Sequence, residues 1–469
     1  MNHLLTLPPA RLLIYSGKGK MALKEAIRTY HDLLTEELAA ESQGQLTEQM
    51  QMRGLFFGNR PLCTVLRPRF LLPEQYTFLR KAIRPLLGAF DKISELAVQN
   101  ADFRKQFGLV DWEEELIRHD PGYRGHTPLT RLDAFFVTDT GELKFTEYNA
   151  EVPAASAYSD VLTEVFYGLP VMGMFMRDYV VRPLPTRHAV LHVLMRAYRQ
   201  WGGTGKPNIA ILDWKEVPTY SEFELFMHYF RSQGVACEIV DPREVEYRHG
   251  RLVHGDYPID LIYKRVLITE LIERGGLDQP VVNAVRDGAV CMVNPWRCKI
   301  LYKKMSLAVL SDEENAHLFN ETETAAIHAH IPWTRTVAER KTVYGGLPID
   351  LIPFMHKYKD QLVLKPNDDY GGHGIVLGWQ TNASGWETAV QQALQSPYIV
   401  QERVVIPSEP YPSLLDNGLH IYDRMLDTAP FIFHGSFVDG CLTRLSTDPL
   451  LNVSAGGGST VPTFVVEKR

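Results

Sequence analysis

Residues Leu362–Leu377, LVLKPNDDYGGHGIVL, place two short apolar runs on either side of a polar, glycine-rich segment. This pattern predicts a strand, a flexible loop and an antiparallel return strand. The glycines let the backbone approach a phosphate group closely, and Lys365 supplies a positive charge. Asn367, Asp368 and Asp369 offer oxygen ligands for a hard cation such as Mg²⁺. An ordinary hairpin with a polar turn has the same pattern, so the rest of the chain must decide between the two interpretations.

A second hairpin is predicted at Leu129–Ser159, LTRLDAFFVTDTGELKFTEYNAEVPAASAYS, where two strand-like runs meet at an Asp-Thr-Gly turn. Alternation along a strand puts Arg131 and Asp133 on one face of the first run. It puts Glu147 and Asn149 on one face of the second run. One basic group and three oxygen donors can therefore converge on one side of the hairpin. An exposed strand also alternates charged residues without any function, so both interpretations stay open at this point.

Composition bounds the class of protein. The chain has 469 residues, of which 45% are hydrophobic and 22% charged, as in a globular protein of two or three domains. A formal net charge of −7 argues against a general nucleic-acid-binding protein. Five scattered cysteines without a CxxC pair favour buried free thiols over a zinc site or a disulfide framework. No apolar run reaches the roughly 18 residues of a membrane helix, and no signal peptide is evident, so a cytoplasmic protein is expected.

Changes of pattern along the chain predict four regions: 1–128, 129–185, 186–292 and 293–469. The first is mainly helical, the second holds the acidic hairpin, and the fourth holds the glycine-rich hairpin. The third alternates strands and helices, which implies a parallel sheet with ligand sites at the carboxyl ends of its strands, near Asp213 and Arg265. The segment Gly202–Lys206, GGTGK, is not a phosphate-binding loop, because it precedes a strand and lacks the required Ser or Thr.

Together, these motifs resemble the ATP-grasp superfamily, specifically its glutathione synthetase and glutathionylspermidine synthetase branch. The segments Arg131–Asp133 and Glu147–Ala150, with Pro153, are similar to the R-x-D … E-Y-N-A-x-x-P pattern of that branch. The loop that begins at Lys365 is similar to its K-P-x-x-E-G-G loop, and Val400–Val404 is similar to its hinge strand. The resemblance implies an α/β fold of the α+β ATP-grasp type. The implied fold is circularly permuted and contains an inserted Rossmann-like pre-ATP-grasp domain and N-terminal helices.

The resemblance implies four ligands for Mg²⁺, which would be present as two ions: Asp133, Glu147, Asn149 and Asp369. Asp369 stands where the family has a glutamate, which shortens the reach of the carboxylate by one methylene. It further implies a set of residues that bind ATP: Lys304, Lys365, Gly371, Gly372, Gly374, Gln401, Glu402 and Val404. Lys304 is chosen from a cationic cluster in which Lys299 and Lys303 remain alternatives.

Catalytic roles at the transferring phosphoryl group follow from the resemblance for Arg131, Lys304 and Arg444. Substrate contacts are implied for Arg131, Arg265 and Arg444 and for two glycines of a C-terminal flap, Gly456 and Gly457. From the residues alone, Glu222 near the start of a helix is expected to be solvated rather than to bind an amine.

The activity implied by the resemblance is an Mg-ATP-dependent ligase that joins a carboxylate to an amine through an acylphosphate. The partners would be small molecules of the amino acid, peptide or polyamine class, with neither nucleic acid nor a membrane involved. Two alternatives stay open: an ATP-binding module with weak or no ligase activity, and a small-molecule phosphotransferase. The two substrates and the oligomeric state cannot be read from the sequence.

Overall fold

The computed structural model describes residues 17–369, 371–448 and 458–469 and shows a mixed α/β protein with several sheets. Its α-helices are α1 (Gly17–Leu33), α2 (Glu36–Met52), α3 (Pro73–Gln99), α4 (Ala101–Arg104), α5 (Asp111–Leu116), α6 (Ser156–Tyr167), α7 (Pro170–Phe175), α8 (Arg187–Trp201), α9 (Tyr220–Ser232), α10 (Ile268–Gly275), α11 (Pro280–Arg286), α12 (Cys298–Tyr302), α13 (Met305–Ser311), α14 (Glu321–His330), α15 (Leu351–Lys357) and α16 (Ala383–Gln395). None of these helices is long and apolar enough to cross a membrane.

The largest sheet is antiparallel and contains the predicted acidic hairpin. Its strands are β4 (Leu129–Val137), β5 (Glu142–Asn149), β20 (Ser408–Leu415), β21 (Gly418–Leu426), β22 (Ala429–Phe433), β23 (Phe437–Ser446) and β24 (Ser459–Val461). They are ordered β20-β21-β23-β22-β4-β5, with β24 also paired to β23. Arg131 pairs with Asn149 and Asp133 pairs with Glu147, which confirms that the four side chains share one face of the hairpin.

A second antiparallel sheet holds the glycine-rich hairpin. Its strands are β14 (Thr334–Thr336), β17 (Leu362–Pro366), β18 (Val376–Leu377) and β19 (Tyr398–Glu402), in the order β14-β19-β17-β18. Val363 pairs with Leu377, so the predicted strand, loop and return strand are confirmed. Gly371 and Gly372 have φ of 65° and 79° in the intervening loop, a region that side chains rarely enter.

The predicted parallel sheet is confirmed as well. Strands β7 (Ile209–Leu212), β8 (Cys237–Val240), β12 (Leu261–Lys264) and β13 (Cys291–Val293) are all parallel, in the order β13-β12-β7-β8. Asp213 and Arg265 directly follow β7 and β12, at the carboxyl edge. Gly202 ends α8 with φ of 110°, so this glycine of the GGTGK segment closes a helix.

Four smaller sheets complete the fold. Their strands are β1 (Phe56–Phe57), β2 (Arg60–Pro61), β3 (Arg69–Leu71), β6 (Tyr179–Arg182), β9 (Val245–Arg248), β10 (Arg251–His254), β11 (Tyr257–Ile259), β15 (Lys341–Tyr344), β16 (Leu347–Asp350) and β25 (Thr463–Lys468). The meander β9-β10-β11 was not predicted. In the sheet β3-β25-β6 the C-terminal strand lies between two strands from earlier in the chain.

Helix α3 covers the apolar face of the acidic hairpin. Pro73 begins it, at a position where proline is favourable because the missing N–H would have no partner. Phe90 is fully buried, and its ring centroid lies 4.4 Å from that of Tyr148 on β5. Burying a phenylalanine contributes about 2–3 kcal/mol. The N-terminal helices therefore support the opposite face of the strands that carry Asp133 and Glu147.

Candidate active site

One cleft, named here the hairpin cleft, lies between the largest sheet and the glycine-rich hairpin. Residues from six separate stretches of sequence line it, and nine of them were predicted: Asp133, Glu147, Lys365, Gly371, Gly372, Gln401, Glu402, Val404 and Arg444. Tertiary folding has thus brought together groups that lie up to 311 positions apart, as in the hydrogen bond between Asp133 and Arg444.

Two arginines hold Asp133. Its carboxylate oxygens accept hydrogen bonds from Nε and Nη2 of Arg131 at 2.7 and 3.0 Å. Nη2 of Arg444 donates a further hydrogen bond, at 2.7 Å. Burial raises the pKa of Asp133, but the charges of both arginines outweigh burial and hold the pKa below its ordinary value. Asp133 is therefore an ionised carboxylate whose oxygens are already engaged within the protein.

Arg131 does not line the cleft. Besides Asp133, its guanidinium binds the carbonyl oxygen of Ala154 through Nη1 at 2.8 Å, and the side chain is buried. The structure thus gives Arg131 an evident role in orienting Asp133. Arg444, in contrast, both lines the cleft and reaches Asp133.

Asp427 is a cleft residue that sequence reasoning missed. It accepts hydrogen bonds from the backbone N–H of Arg444 at 2.7 Å and from its Nε at 2.6 Å. Burial raises the pKa of Asp427, and the charge of Asp133 raises it further, against the lowering effect of Arg444. An acidic residue between two strands is common in sequences, so nothing local marked it.

Lys365 projects into the cleft from β17. Its Nζ donates to Oε1 of Gln401 at 2.8 Å and to the carbonyl oxygen of Thr146 at 3.1 Å. A β-bulge in the acidic hairpin leaves Thr146 without a direct partner and so frees this carbonyl. Burial lowers the pKa of Lys365 to about 8, although the carboxylate of Glu147 counteracts the shift.

The structure distinguishes the contacts of the three lysines among which the sequence could not choose. Lys304 places Nζ 3.2 Å from Oε1 of Glu147 and donates to the carbonyl oxygen of Asp369 at 2.5 Å. Lys299 and Lys303 instead bind the carboxylate of Asp368, at 2.9 and 2.7 Å. Of the three, Lys304 is the lysine that contacts a carboxylate lining the cleft.

Asp368, with 24% of its side chain accessible, belongs to an otherwise buried row of alternating charges. This row is named here the lysine–carboxylate chain: Lys264, Glu151, Lys299, Asp368, Lys303 and Glu113. The successive N–O distances are 3.5, 3.5, 2.9, 2.7 and 2.7 Å. Three positive and three negative groups balance, which satisfies the requirement that buried charges be paired. The lysines hold the pKa of Asp368 at about 2, although burial acts to raise it.

The base of the glycine-rich loop is anchored next to this chain. Oδ1 of Asn367 accepts from the N–H of Met305 at 2.9 Å, and Nδ2 donates to the carbonyl of Phe107 at 2.9 Å. The N–H of Lys304 donates to the carbonyl of Asn367 at 2.9 Å. Asn367 and Asp368 therefore attach the loop to α13 and to the N-terminal region, rather than facing the cleft as metal ligands.

The predicted metal ligands differ in their availability. Glu147 and Asp369 are partly exposed, with 31% and 36% of their side chains accessible. The buried Nδ2 atom of Asn149 has no hydrogen-bond partner. Because the two ends of an amide can be exchanged by rotation, the same position suits the amide oxygen. The carboxylate oxygens of Asp133 already accept hydrogen bonds from Arg131 and Arg444. Glu147, Asn149 and Asp369 therefore fit Mg²⁺ in their donor chemistry.

Within the described part of the chain, no group of three or more His, Cys, Asp or Glu side chains is arranged to hold a metal by itself. A site for Mg²⁺ here would need the amide of Asn149 together with water or phosphate oxygens. That combination is usual for this ion, which keeps several waters and shares its coordination with substrate phosphates.

The hinge after β19 forms the apolar end of the cleft. Val363, Leu377, Val404 and Ile406 line it. Glu402 lies at its edge and accepts from the hydroxyl of Tyr344 at 2.9 Å. Trp379 also lines this end, and the guanidinium of Arg403 stacks 4.0 Å from the centre of its ring. An apolar slot with a polar edge suits a planar aromatic group.

Three other predicted glycines differ from Gly371 and Gly372, which line the cleft. Gly374 does not line the cleft; a Cβ built there would lie 3.1 Å from the ring of Pro366, so this glycine allows close packing within the hairpin. Gly456 and Gly457 lie outside the described residues.

Arg265 is likewise not part of the hairpin cleft. Its Nη2 binds Glu222 at 3.0 Å, and its buried Nε and Nη1 atoms have no hydrogen-bond partner. The expectation that Glu222 is solvated is wrong, since the side chain is fully buried. It is buried because α9 directs this residue towards Arg265 and Ala157. Its Oε1 accepts a hydrogen bond from the backbone N–H of Ala157 at 3.1 Å.

Comparison with solved structures defines the class of fold. The chain has a glutathione synthetase-like fold, shared with the apo form of GSS30, a glutathione synthetase-like effector from Globodera pallida. The TM-score is 0.59 over 92% of this chain and 98% of that chain, at 11% sequence identity.

At the level of sequence, two curated proteins from Frankia are similar, both provisionally named glutamate–cysteine ligases. The relative from Frankia alni, numbered 2-3, is 26% identical over an alignment of 296 residues. This alignment covers 59% of this chain and 32% of the relative. The protein 2-2 of Frankia casuarinae is 25% identical over 341 residues, 67% of this chain and 36% of the relative. The chain thus spans about a third of the length of these relatives. No protein-family model matches it.

Proposed function

We propose that this chain is an Mg-ATP-dependent carboxylate–amine ligase with a circularly permuted ATP-grasp architecture. The observation that carries the proposal is the hairpin cleft, where a carboxylate hairpin, a glycine-rich loop with its lysine and an apolar hinge face one another. The glutathione synthetase-like fold and the ligase names of the Frankia relatives support the same class. Their names point to amino acids as substrates, although the match covers only about a third of the length of each relative.

In this proposal the adenine ring occupies the apolar hinge between Val404 and Trp379, and Glu402 binds the ribose. Lys365 and Lys304 bind the phosphates, because each places an ammonium group beside the carboxylate-lined wall of the cleft. Gly371 and Gly372 let the loop backbone lie against the phosphates without a Cβ in the way.

Glu147, Asn149 and Asp369 would hold Mg²⁺, which when bound neutralises charge on the phosphates. Asp133 and Asp427 act through Arg444, whose guanidinium they orient by hydrogen bonds on both sides. Arg444 then presents a fixed positive charge to the group being transferred. Such preorganised charge is the main contribution that a protein makes to phosphoryl transfer.

The proposed reaction has two displacements. An oxygen of the substrate carboxylate attacks the γ-phosphorus of ATP, the bond to the bridging oxygen breaks, and ADP leaves. The amine then attacks the carbonyl carbon of the acylphosphate, the C–O bond breaks, phosphate leaves, and the amine loses a proton. The cleft must exclude water between the two steps, because water would hydrolyse the acylphosphate.

Arg265 marks the region proposed for the carboxylate or amino acid substrate. Its two unpartnered nitrogen atoms can donate to a carboxylate in a buried position where an unmet donor is unfavourable. Asp213 lies at the same sheet edge, and burial raises its pKa to about 7. A guanidinium cation and a carboxyl group at one sheet edge suit a substrate with both carboxyl and amino groups.

Hydroxylamine trapping tests the proposal. The protein is incubated with Mg-ATP, hydroxylamine and a mixture of the protein amino acids, glutathione and spermidine, and acyl hydroxamate and phosphate are measured. Glu147→Ala is expected to lower the turnover of ATP about 10²–10³-fold, as for loss of one fixed catalytic charge. Glu142→Ala, on the same strand but outside the cleft, should leave the turnover unchanged. Normal turnover by Glu147→Ala would refute the metal assignment.

A second candidate is an ATP-binding module without ligase activity. It is favoured by one observation, that the oxygens of Asp133 are already engaged by Arg131 and Arg444. Isothermal titration with Mg-ATP separates the candidates: binding without any stimulated phosphate release supports the module, and release with hydroxamate supports the ligase.

A further inference from the structure

We propose that a crevice between α8, the loop at residues 122–128 and the turn between β22 and β23 binds a small molecule that carries a phosphoryl group. This crevice, named here the cationic crevice, has a volume of about 200 Å³. It is lined by Tyr123, Arg124, Gly125, Pro128, Val193, Arg196, Ala197, Gln200 and His434. None of these residues is acidic, and none lines the hairpin cleft, so the crevice is a separate site.

The two arginines of the crevice have no ion-pair partner in the part of the chain that the structure describes. Arg124 and Arg196 are both exposed, and among the described residues no carboxylate lies within 4.0 Å of either guanidinium. Arg187 on the same helix differs, since it pairs with Asp160 at 3.2 Å. An oxyanion in the crevice would supply the counter-charge that both guanidiniums lack.

A histidine pair adds a third donor. Nδ1 of His192 lies 2.9 Å from Nε2 of His434, so one ring donates to the other. When His192 is the donor, neutral His434 carries its own hydrogen on Nδ1, where it can donate to a ligand. Burial, and then the charge of Arg196, lowers the pKa of His434 to about 4. The positive field is therefore present while the imidazole itself stays neutral.

The turn that carries His434 is built in an unusual way. His434 and Gly435 have φ of 56° and 67°, and the N–H of Ser436 donates to the carbonyl of Phe433. Two successive positive φ angles define a type I′ hairpin turn, in which Asn, Asp or Gly is the usual first residue. A histidine is less favourable there, and its ring is placed against α8 and the crevice.

The chemistry of the donors indicates the class of ligand. Guanidinium groups bind oxyanions through two parallel hydrogen bonds, and a tetrahedral phosphoryl group offers oxygens to donors from several directions. Arg124, Arg196 and His434 line the crevice from three different elements. The crevice is several times the roughly 30 Å³ occupied by one water molecule. Val193 and Ala197 supply an apolar wall for a carbon portion, so either free phosphate or a phosphate monoester is accommodated.

Isothermal titration of the full-length protein with inorganic phosphate, and separately with glycerol 3-phosphate, tests this site. Each titration is repeated with Arg124→Gln, with Arg196→Gln and with the double variant. Arg199→Gln is the matched control, an exposed arginine on the same helix outside the crevice. Lys365→Ala removes the phosphate-binding lysine proposed for the hairpin cleft and so identifies any phosphate bound there.

We expect wild type and Arg199→Gln to bind with the same affinity. Each crevice arginine should contribute about tenfold, because a hydrogen bond between charged groups is worth that much, and the double variant should not bind. Tighter binding of glycerol 3-phosphate would identify a monoester, and equal binding would identify free phosphate as the ligand. Absence of binding to wild type, or unchanged binding to the double variant, would overturn the proposal. Thermal unfolding of each variant verifies that it is folded.

Discussion

Replacement of Asp368 by asparagine is expected to lower the free energy of unfolding by about 2–5 kcal/mol at pH 7. The substitution keeps the shape of the side chain and removes its charge. Lys299 and Lys303 then lose their shared partner, and the lysine–carboxylate chain is left with three positive and two negative groups in a buried position.

The magnitude follows from two features of the structure. Burial acts to raise the pKa of Asp368, yet the two lysines bring it from 3.8 down to about 2. Each pKa unit corresponds to about 1.4 kcal/mol, so stabilisation of the charged form contributes about 2 kcal/mol. An uncompensated charge at a buried pair costs about 3–5 kcal/mol, which sets the upper end of the range.

The sign of the pH dependence is also determined. Because the pKa of Asp368 is lower in the folded than in the unfolded chain, its contribution is fully present above about pH 4. The contribution is lost as the pH falls towards about 2. The difference in stability between wild type and Asp368→Asn should therefore be constant near neutral pH and should become smaller in acid.

Urea denaturation of the two proteins, followed by circular dichroism at neutral and acidic pH, measures this difference. Asp360→Asn is the control, because Asp360 is 70% exposed and forms only a surface pair with Lys359. Its effect should stay below about 0.5 kcal/mol. The reasoning would be refuted if Asp368→Asn were as stable as the control, or if its deficit did not change with pH. Since Asp368 anchors the loop, the variant should also bind Mg-ATP more weakly than the control.

Three further predictions concern the cleft and its support. The affinity for Mg-ATP, measured by isothermal titration, should fall as the pH rises through about 8, because Lys365 loses its proton there. Lys365→Arg should remove this pH dependence, since arginine stays charged. If the variant kept the pH profile of the wild type, Lys365 would be excluded as the titrating group. Arg444→Gln should lower phosphate release about 10²–10³-fold at full ATP occupancy, and Arg424→Gln, at a partly exposed position of β21 outside the cleft, should not. Phe90→Ala should destabilise the fold by about 3–5 kcal/mol in urea denaturation, and a smaller loss would mean that α3 contributes little to holding the hairpin.

Several parts of the candidate site were predictable because they depend on local sequence. The Asp-Thr-Gly turn determines the acidic hairpin, and strand alternation places Arg131, Asp133, Glu147 and Asn149 on one face. The glycines after Lys365 similarly determine a strand, a loop and a return strand. Turn residues and a period of two act over a few positions, so no knowledge of the remaining chain is required.

Other features depend on contacts between distant parts of the chain. The sequence could not distinguish Lys304 from Lys299 and Lys303, because all three are cations within a few positions of one another, in α12 or between α12 and α13. Only the packing of Asp368 against two of them assigns the third to Glu147. Asp427 was missed for the same reason, since its role depends on Arg444 and Asp133.

The glycine-rich stretch at residues 362–377 shows the division most clearly. Its hairpin conformation, its flexible glycines and its cationic Lys365 are properties of the sequence alone. The tertiary structure decided which of its acids faces which partner: Asp368 joins the buried lysines, and Asp369 stays near Glu147. The physical reason is that a charged side chain takes the environment in which its desolvation is best compensated. That environment is built from residues that are distant in the sequence and meet only in the fold.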